Sequence, residues 1–385
     1  MKRIIVFCII VAIMMSIANA AAATKDPTEI LIKALVTKGI ITESDADDIR
    51  AEIEAIKKEE EAKPKASPVI NPTTKFPMNI SGWIMQRYLH SSQNNVNDTF
   101  ETSQARITFS GEPAKDIDYK LQMEFAGSRN AITSNTFATS SFSKPTVVDA
   151  NIGWKMPNSA KLTVGQFLIP FSYDSLTSNT KIDFINRAIV VTELSPNRRN
   201  NQGRDIGIQY AGNIKINEGK QQFEYAMGIF NGANINSRDN NNAKDIALRA
   251  GVKSSDDGLH FAVSHYNGKV GVAKTKYNRT GLEAVYDKND WAVKSEYIWA
   301  DDGSAKPNGW YATLIHRFTK ELDGLIRYDY YNKDTGANDN IKATTLGVNW
   351  KLSKDGLTRI QVNHEWKRDE SASQRNINQF QAQFQ

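Results

Sequence analysis

From residue 78 onward, apolar and polar side chains alternate in successive segments of roughly eight to thirteen residues, the period-two signature of β-strands. In IDYKLQMEF (117–125), Ile117, Tyr119, Leu121, Met123 and Phe125 fall on one face, and Asp118, Lys120, Gln122 and Glu124 on the other. The same grammar runs through QARITFSG, VVDANIGWK, RDIGIQYAG, QFEYAMGIF, LHFAVSHY, WAVKSEYIW, WYATLIHRF and TRIQVNHEW. It predicts about sixteen strands over 78–385, with no helical pattern of convincing length between them.

The links between strands alternate in length. Short ones near 112–116, 157–159, 214–220, 254–257, 288–289, 320–322 and 353–356 carry turn residues such as SSDDG, KND and SKDG. Longer polar ones fall near 91–100, 127–145, 168–203, 231–242, 268–275, 300–307, 333–340 and 368–376. An even number of strands, with short turns on one side and long loops on the other, is the organisation of an all-β transmembrane β-barrel of the bacterial outer membrane. The apolar face then meets lipid and the polar face a water-filled lumen. In hydrocarbon every backbone N–H and C=O must be paired, so a chain without a spanning helix crosses only as a closed ring.

A soluble β-sandwich would alternate in the same way, and the tryptophans argue against it. All seven fall in predicted strands and six lie near strand ends: Trp154, Trp291 and Trp350 toward the short turns, Trp299, Trp310 and Trp366 toward the long loops. Trp291 and Trp299 share a face. Eight residues at about 3.3 Å each, tilted by about 40°, separate them by roughly 20 Å along the membrane normal, near the height expected between two aromatic girdles.

The first 77 residues read differently. Lys2 and Arg3 precede an apolar run over 4–17 and ANA at 18–20, so 1–20 is expected to be a signal peptide cut after Ala20. Residues 26–62 carry helical spacing, with Ile49, Ile53 and Ile56 on one stripe and Ser44 with Asp47 as the expected capping box. This segment is read as a short helical or coiled-coil periplasmic element. Residues 63–77 form a proline-rich linker, and the barrel occupies 78–385.

Composition narrows the function. The single cysteine, Cys8, lies inside the expected signal, so the mature chain has no disulfide and no thiolate metal site. Removing Lys2 and Arg3 from 48 basic residues leaves 46 against 43 acidic ones, too small an excess to call for nucleic acid. The five histidines, His90, His260, His265, His316 and His364, show no metal-binding spacing, and no nucleophile elbow or P-loop is present. No cofactor and no enzyme activity are expected.

One long link stands apart. Residues 168–203 contain Phe171, Phe184, Ile185, Ile189, Val190 and Val191, an apolar content that calls for packing on the inner barrel wall. Here VGQFLIPFSYDSLTSNTKIDFINRAI (164–189) resembles the strand and third loop of the phosphate-selective porins O and P, with Gly-Gln-Phe, then Pro-Phe, Thr-Ser and Phe-x-x-Arg. GRDIGIQYAG (203–212) resembles that family's next strand. The resemblance implies a sixteen-stranded homotrimeric channel in the outer-membrane lipid, whose third loop narrows a pore for small anions such as phosphate. It also implies that Arg187 is the constriction arginine, with Ser178 and Lys181 just upstream. Arg198, Arg199 and Arg204 are a further candidate entry patch.

Two features temper that reading. Alternation turns twelve basic and ten acidic side chains inward, among them Arg106, Lys120, Arg249, Lys294, Arg327, Glu124, Asp149, Glu283, Glu296 and Asp329, which describes a wall of crossed ion pairs. Outer-membrane barrels commonly end on an aromatic residue, whereas here Phe384 is followed by Gln385. A general porin of low selectivity and a plugged structural or adhesive barrel therefore stand as alternatives to the anion channel.

Overall fold

The computed structural model describes residues 77–126, 145–198 and 202–385, except 95, 217, 218, 255, 338 and 373, together with 36, 37, 42–48 and 51. The expected signal peptide and linker, most of the expected helical segment, and Arg199 lie outside the described residues. Two compact units divide the chain, Met1–Ala66 and Ser67–Gln385.

In the first unit residues 43–48 form a short helix, α1. Its cap lies two residues before the expected one. Thr42 Oγ1 accepts the Asp45 N–H at 3.2 Å, and the Asp45 carboxylate takes the Thr42 N–H at 2.8 Å and its hydroxyl at 2.6 Å. TESD satisfies the capping pattern from Thr42, and TESDAD satisfies it again from Ser44. The earlier start closes the reciprocal box.

The second unit is a closed antiparallel barrel of sixteen strands. They are β1 (Asn79–Ser91), β2 (Thr99–Ala114), β3 (Ile117–Glu124), β4 (Thr146–Lys155), β5 (Lys161–Leu168), β6 (Arg204–Ile216), β7 (Gln221–Phe230) and β8 (Asp245–Ser254), followed by β9 (Leu259–Val270), β10 (Thr275–Lys288), β11 (Trp291–Asp301), β12 (Asn308–Arg317), β13 (Leu322–Asn332), β14 (Asn340–Lys351), β15 (Arg359–Asp369) and β16 (Asn376–Phe384). Each strand pairs with its sequence neighbours, and β1 closes the ring on β16, with Arg87 opposite Gln383. The tight turn between β10 and β11 places Asn289 at φ 55°, a left-handed conformation that asparagine tolerates.

Burial follows the barrel reading and reverses that of a soluble sheet. On β11 the apolar Trp291, Val293, Tyr297 and Trp299 are exposed, while Lys294 and Glu296 are buried beside Ala292, Ile298 and Ala300. Trp154, Trp310 and Trp366 are likewise exposed. Trp83 faces the other way, donating its indole N–H to Gln104 at 3.0 Å beneath the Arg106 guanidinium. Inside, the expected ion-pair wall is present: Arg106–Glu124, Lys161–Asp118, Arg249–Glu283 and Arg327–Asp329 each close at 2.7 Å, and Lys351–Asp323 at 2.8 Å.

Phe384 is half exposed on the outer face. Gln385 is buried instead, and its amide bridges the carbonyls of Thr180 at 3.0 Å and Leu357 at 2.8 Å.

Candidate functional site: the inward loop and its arginine cluster

Residues 169–203 connect β5 to β6, and their apolar side chains decide their course. Phe171, Ala188, Val190, Val191 and Leu194 are buried in one cluster with Phe230, Ala247, Tyr266, Ile298, Tyr311 and Tyr331 from the wall strands β7 to β13. Phe184 packs separately against Ala292, Ile315 and Leu325. The loop lies inside the barrel because only that wall offers an apolar surface shielded from both lipid and water. Each large side chain so buried contributes roughly 1.5–3 kcal/mol.

Polar wall groups then fix the path. The helical turn α2 (Tyr173–Leu176) follows Ser172, whose hydroxyl accepts the Ser175 N–H. The Glu296 carboxylate accepts the N–H groups of Tyr173 at 3.1 Å and Asp174 at 2.8 Å, and the Tyr311 hydroxyl donates to it at 2.9 Å. Further along, Asn349 and Gln361 donate to the Asp183 carbonyl at 2.8 and 2.9 Å, and Asn363 accepts the Ile185 N–H at 2.7 Å. Asp329 takes the Ile189 N–H at 2.9 Å where α3 (Ile189–Leu194) begins. A loop held at so many backbone groups is a fixed partition of the lumen.

Arg187 ties the loop to itself. Its guanidinium pairs with the Asp174 carboxylate at 3.0 Å and donates to the Thr177 carbonyl at 2.6 Å and Asn179 Oδ1 at 2.7 Å. Burial pulls it below the ordinary arginine value, against the upward pull of Asp174. The neighbouring carboxylate Asp183 goes elsewhere, receiving the Lys294 ammonium at 2.8 Å. Ser178 caps the short 3-10 turn Asn179–Lys181 and is exposed. The exposed Lys181 ammonium has no ion-pair partner among the described residues.

Arg198 and Arg204 sit where the loop rejoins the wall. Arg204 pairs with Asp149 of β4 at 2.6 Å and donates to the Gln202 carbonyl at 3.1 Å. Arg198 donates to the carbonyls of Gln202 at 2.7 Å and Ser175 at 3.3 Å, and meets no carboxylate at ion-pair distance among the described residues. Burial pushes its guanidinium well below the usual value, and the nearby charges of Arg187 and Arg204 push the same way.

Arg106 completes the group, hydrogen-bonded to Gln202 Oε1 and paired with Glu124. Lys120 shares Asp149 at 2.7 Å. Five cations, Arg106, Lys120, Arg187, Arg198 and Arg204, thus face three carboxylates, Glu124, Asp149 and Asp174. Sequence parity turned Arg106 and Lys120 into the lumen, but nothing local joined them to the loop, because the Arg106–Gln202 contact spans 96 positions. A buried surplus of guanidinium groups attracts and orients small anions, since planar donor forks match phosphate and carboxylate oxygens.

Residues 82–271, which include the loop and every residue of this cluster, match the family model of the phosphate-selective porins O and P. That stretch runs through β1 to β9, and over it the barrel is similar to that family. Porins of this family are channels of the Gram-negative outer membrane, so the protein is an outer-membrane channel. Among solved structures, the barrel is similar to an anion-selective porin from Comamonas acidovorans, with 12% identity, TM-score 0.58, and coverage of 80% of this chain and 98% of that one. It is similar to in-vitro folded OmpT of Vibrio cholerae in its trimer form, with 13% identity, TM-score 0.51 and coverage of 80% and 99%. A mutant of the Rh. blastica porin aligns with 12% identity, TM-score 0.53 and the same coverage. At these identities the likenesses speak for the fold alone. No curated protein sequence matches the chain.

Proposed function

We propose that this porin conducts small hydrophilic anions by passive diffusion, with phosphate the leading solute. The observation that carries this is Arg198, a guanidinium held by carbonyls beside Arg106, Arg187 and Arg204. Arg198 and Arg204 supply the main contacts, Lys181, Ser178 and Arg199 weaker ones, and Arg187 acts by shaping the turn that presents them. Several modest contacts suit conduction, because a bound ion must also leave. The anion-selective porin among the similar structures and the trimeric OmpT fit an anion channel that works as a homotrimer. The signal would be cleaved after Ala20, leaving the helical segment as a periplasmic self-association element ahead of the linker.

The ion-paired wall favours one second reading, a porin of low selectivity, since most lumen charges cancel in pairs. Single-channel recording in planar bilayers separates the readings. An anion channel gives stepwise ohmic currents, a zero-current potential of chloride sign in a KCl gradient, and chloride current reduced by added phosphate. A potential near zero returns the protein to the general porins, and silence to a plugged barrel.

A further inference from the structure

The outward face of β14 and β15 is organised in ranks. Lys342 lies opposite Arg368, Thr344 opposite Trp366, Leu346 opposite His364, Val348 opposite Val362, and Trp350 opposite Ile360. Leu346, Val348 and Trp366 are exposed, while the intervening Thr345, Asn349, Gln361 and Asn363 are buried toward the lumen. From the long-loop rim downward the ladder therefore reads two cations, an indole beside Thr344, Leu346 beside the His364 ring that packs on that indole, then aliphatic side chains.

Two like charges directly opposite each other on an antiparallel ladder repel. The carboxylate beside them, Glu370, lies 3.6 Å from the Lys342 ammonium and also accepts from the Asn340 amide. Arg368 is exposed and has no ion-pair partner among the described residues. Depth distinguishes this pair from another outward pair of cations, Lys269 opposite Lys276. There the ranks Asn267–Asn278 and His265–Thr280 intervene before the apolar Val263–Leu282, and Lys276 pairs with Asp301 at 2.6 Å. The cations of β14 and β15 instead follow the tryptophan rank directly. Indoles settle at the boundary between headgroups and hydrocarbon, and one rank further out, roughly 5 Å along the normal at ordinary rise and tilt, is headgroup depth.

We propose that Lys342 and Arg368 form a binding site for the phosphate of a lipid in the leaflet that surrounds the long loops. The guanidinium fork and the ammonium take the phosphate oxygens, and the acyl chains run down Leu346, Val348 and Val362. The phosphate relieves the repulsion between the two cations, and the aliphatic ladder selects a lipid over a free ion.

The full-length protein would be reconstituted into phosphatidylcholine nanodiscs containing a minor fraction of bis-phosphorylated lipid A, transferred to mild detergent, and its retained lipid counted by native mass spectrometry. The expected result is retention of lipid A by the unaltered protein and by Lys269→Gln/Lys276→Gln, with about a tenfold loss in Lys342→Gln/Arg368→Gln, as the removal of charge-assisted contacts implies. Heat-modifiable gel mobility reports that each barrel is folded, and Arg368→Gln alone replaces the double variant if that one fails to fold. Equal retention by the rim variant, equal retention of dephosphorylated lipid A, or full displacement of lipid A by inorganic phosphate would each overturn the lipid site.

Discussion

The Glu296 carboxylate on β11 accepts the backbone N–H of Asp174 at 2.8 Å, joining wall and loop across 122 positions of sequence. The same carboxylate receives the Tyr173 N–H. Hydrogen bonds of this kind contribute about 0.5–1.5 kcal/mol each. In Glu296→Ala the loop should detach locally while the barrel remains closed, so trypsin cleavage after Lys181 and Arg198 should accelerate with no loss of heat-modifiable gel mobility. Unchanged cleavage would show that the apolar cluster alone holds the loop.

Phe171 is 1% exposed, and a Cβ added at Gly281 would stand 3.2 Å from its ring. Phe171→Ala should cost about 3–5 kcal/mol of loop stability through the cavity it leaves. Gly281→Ala crowds the ring in the parent, yet in the Phe171→Ala background its methyl enters the cavity. The pair should therefore be non-additive, with the double variant less protease-sensitive than Phe171→Ala. Strict additivity would place the ring elsewhere.

Arg187 and Arg198 should respond differently to substitution. Arg187 binds Asp174, Thr177 and Asn179 within its own loop, so Arg187→Ala should raise open-channel noise and alter conductance. Arg198→Gln removes a charge with no carboxylate partner and should move the zero-current potential in a KCl gradient toward the potassium value. If Arg198→Gln left that potential unmoved, the selectivity would have to arise elsewhere.

Asp149 serves both Lys120 and Arg204. Asp149→Asn keeps the shape and releases both cations, so anion preference should increase. It should also destabilise the barrel by about 3–5 kcal/mol, as breaking a buried pair does. Bilayer recording and thermal gel-shift assays read the two effects separately, and a shift toward cation preference would contradict the assignment of surplus positive charge.

The strands were legible because one face meets hydrocarbon and the other water, which leaves alternation unbroken over stretches such as 117–125. Parity lost its hold where bulges insert an extra residue, at Ser103 of β2 facing Met85 and Gln86, and at Val148 of β4 facing Gln122 and Met123. The apolar content of the inward loop called for burial on the wall, and Phe171, Val190 and Val191 are buried there. Partner choice was not legible. Asp183 stood closer to Arg187 in sequence than Asp174 did, yet the turn at 174–179 folds Asp174 onto the guanidinium and turns Asp183 toward Lys294. Likewise the cluster around Arg198 depends on β2, β4 and the loop returning to one place, which no local spacing records.

Ring closure by β1 and β16 has a consequence for biogenesis. The seam joins Arg87 to Gln383, so every shorter nascent chain presents two unsatisfied strand edges, and both invite pairing with other molecules. The final nine-residue strand must arrive before either edge is covered. Productive folding is thereby deferred until synthesis and export are complete, and the polypeptide must be kept from aggregating throughout that delay.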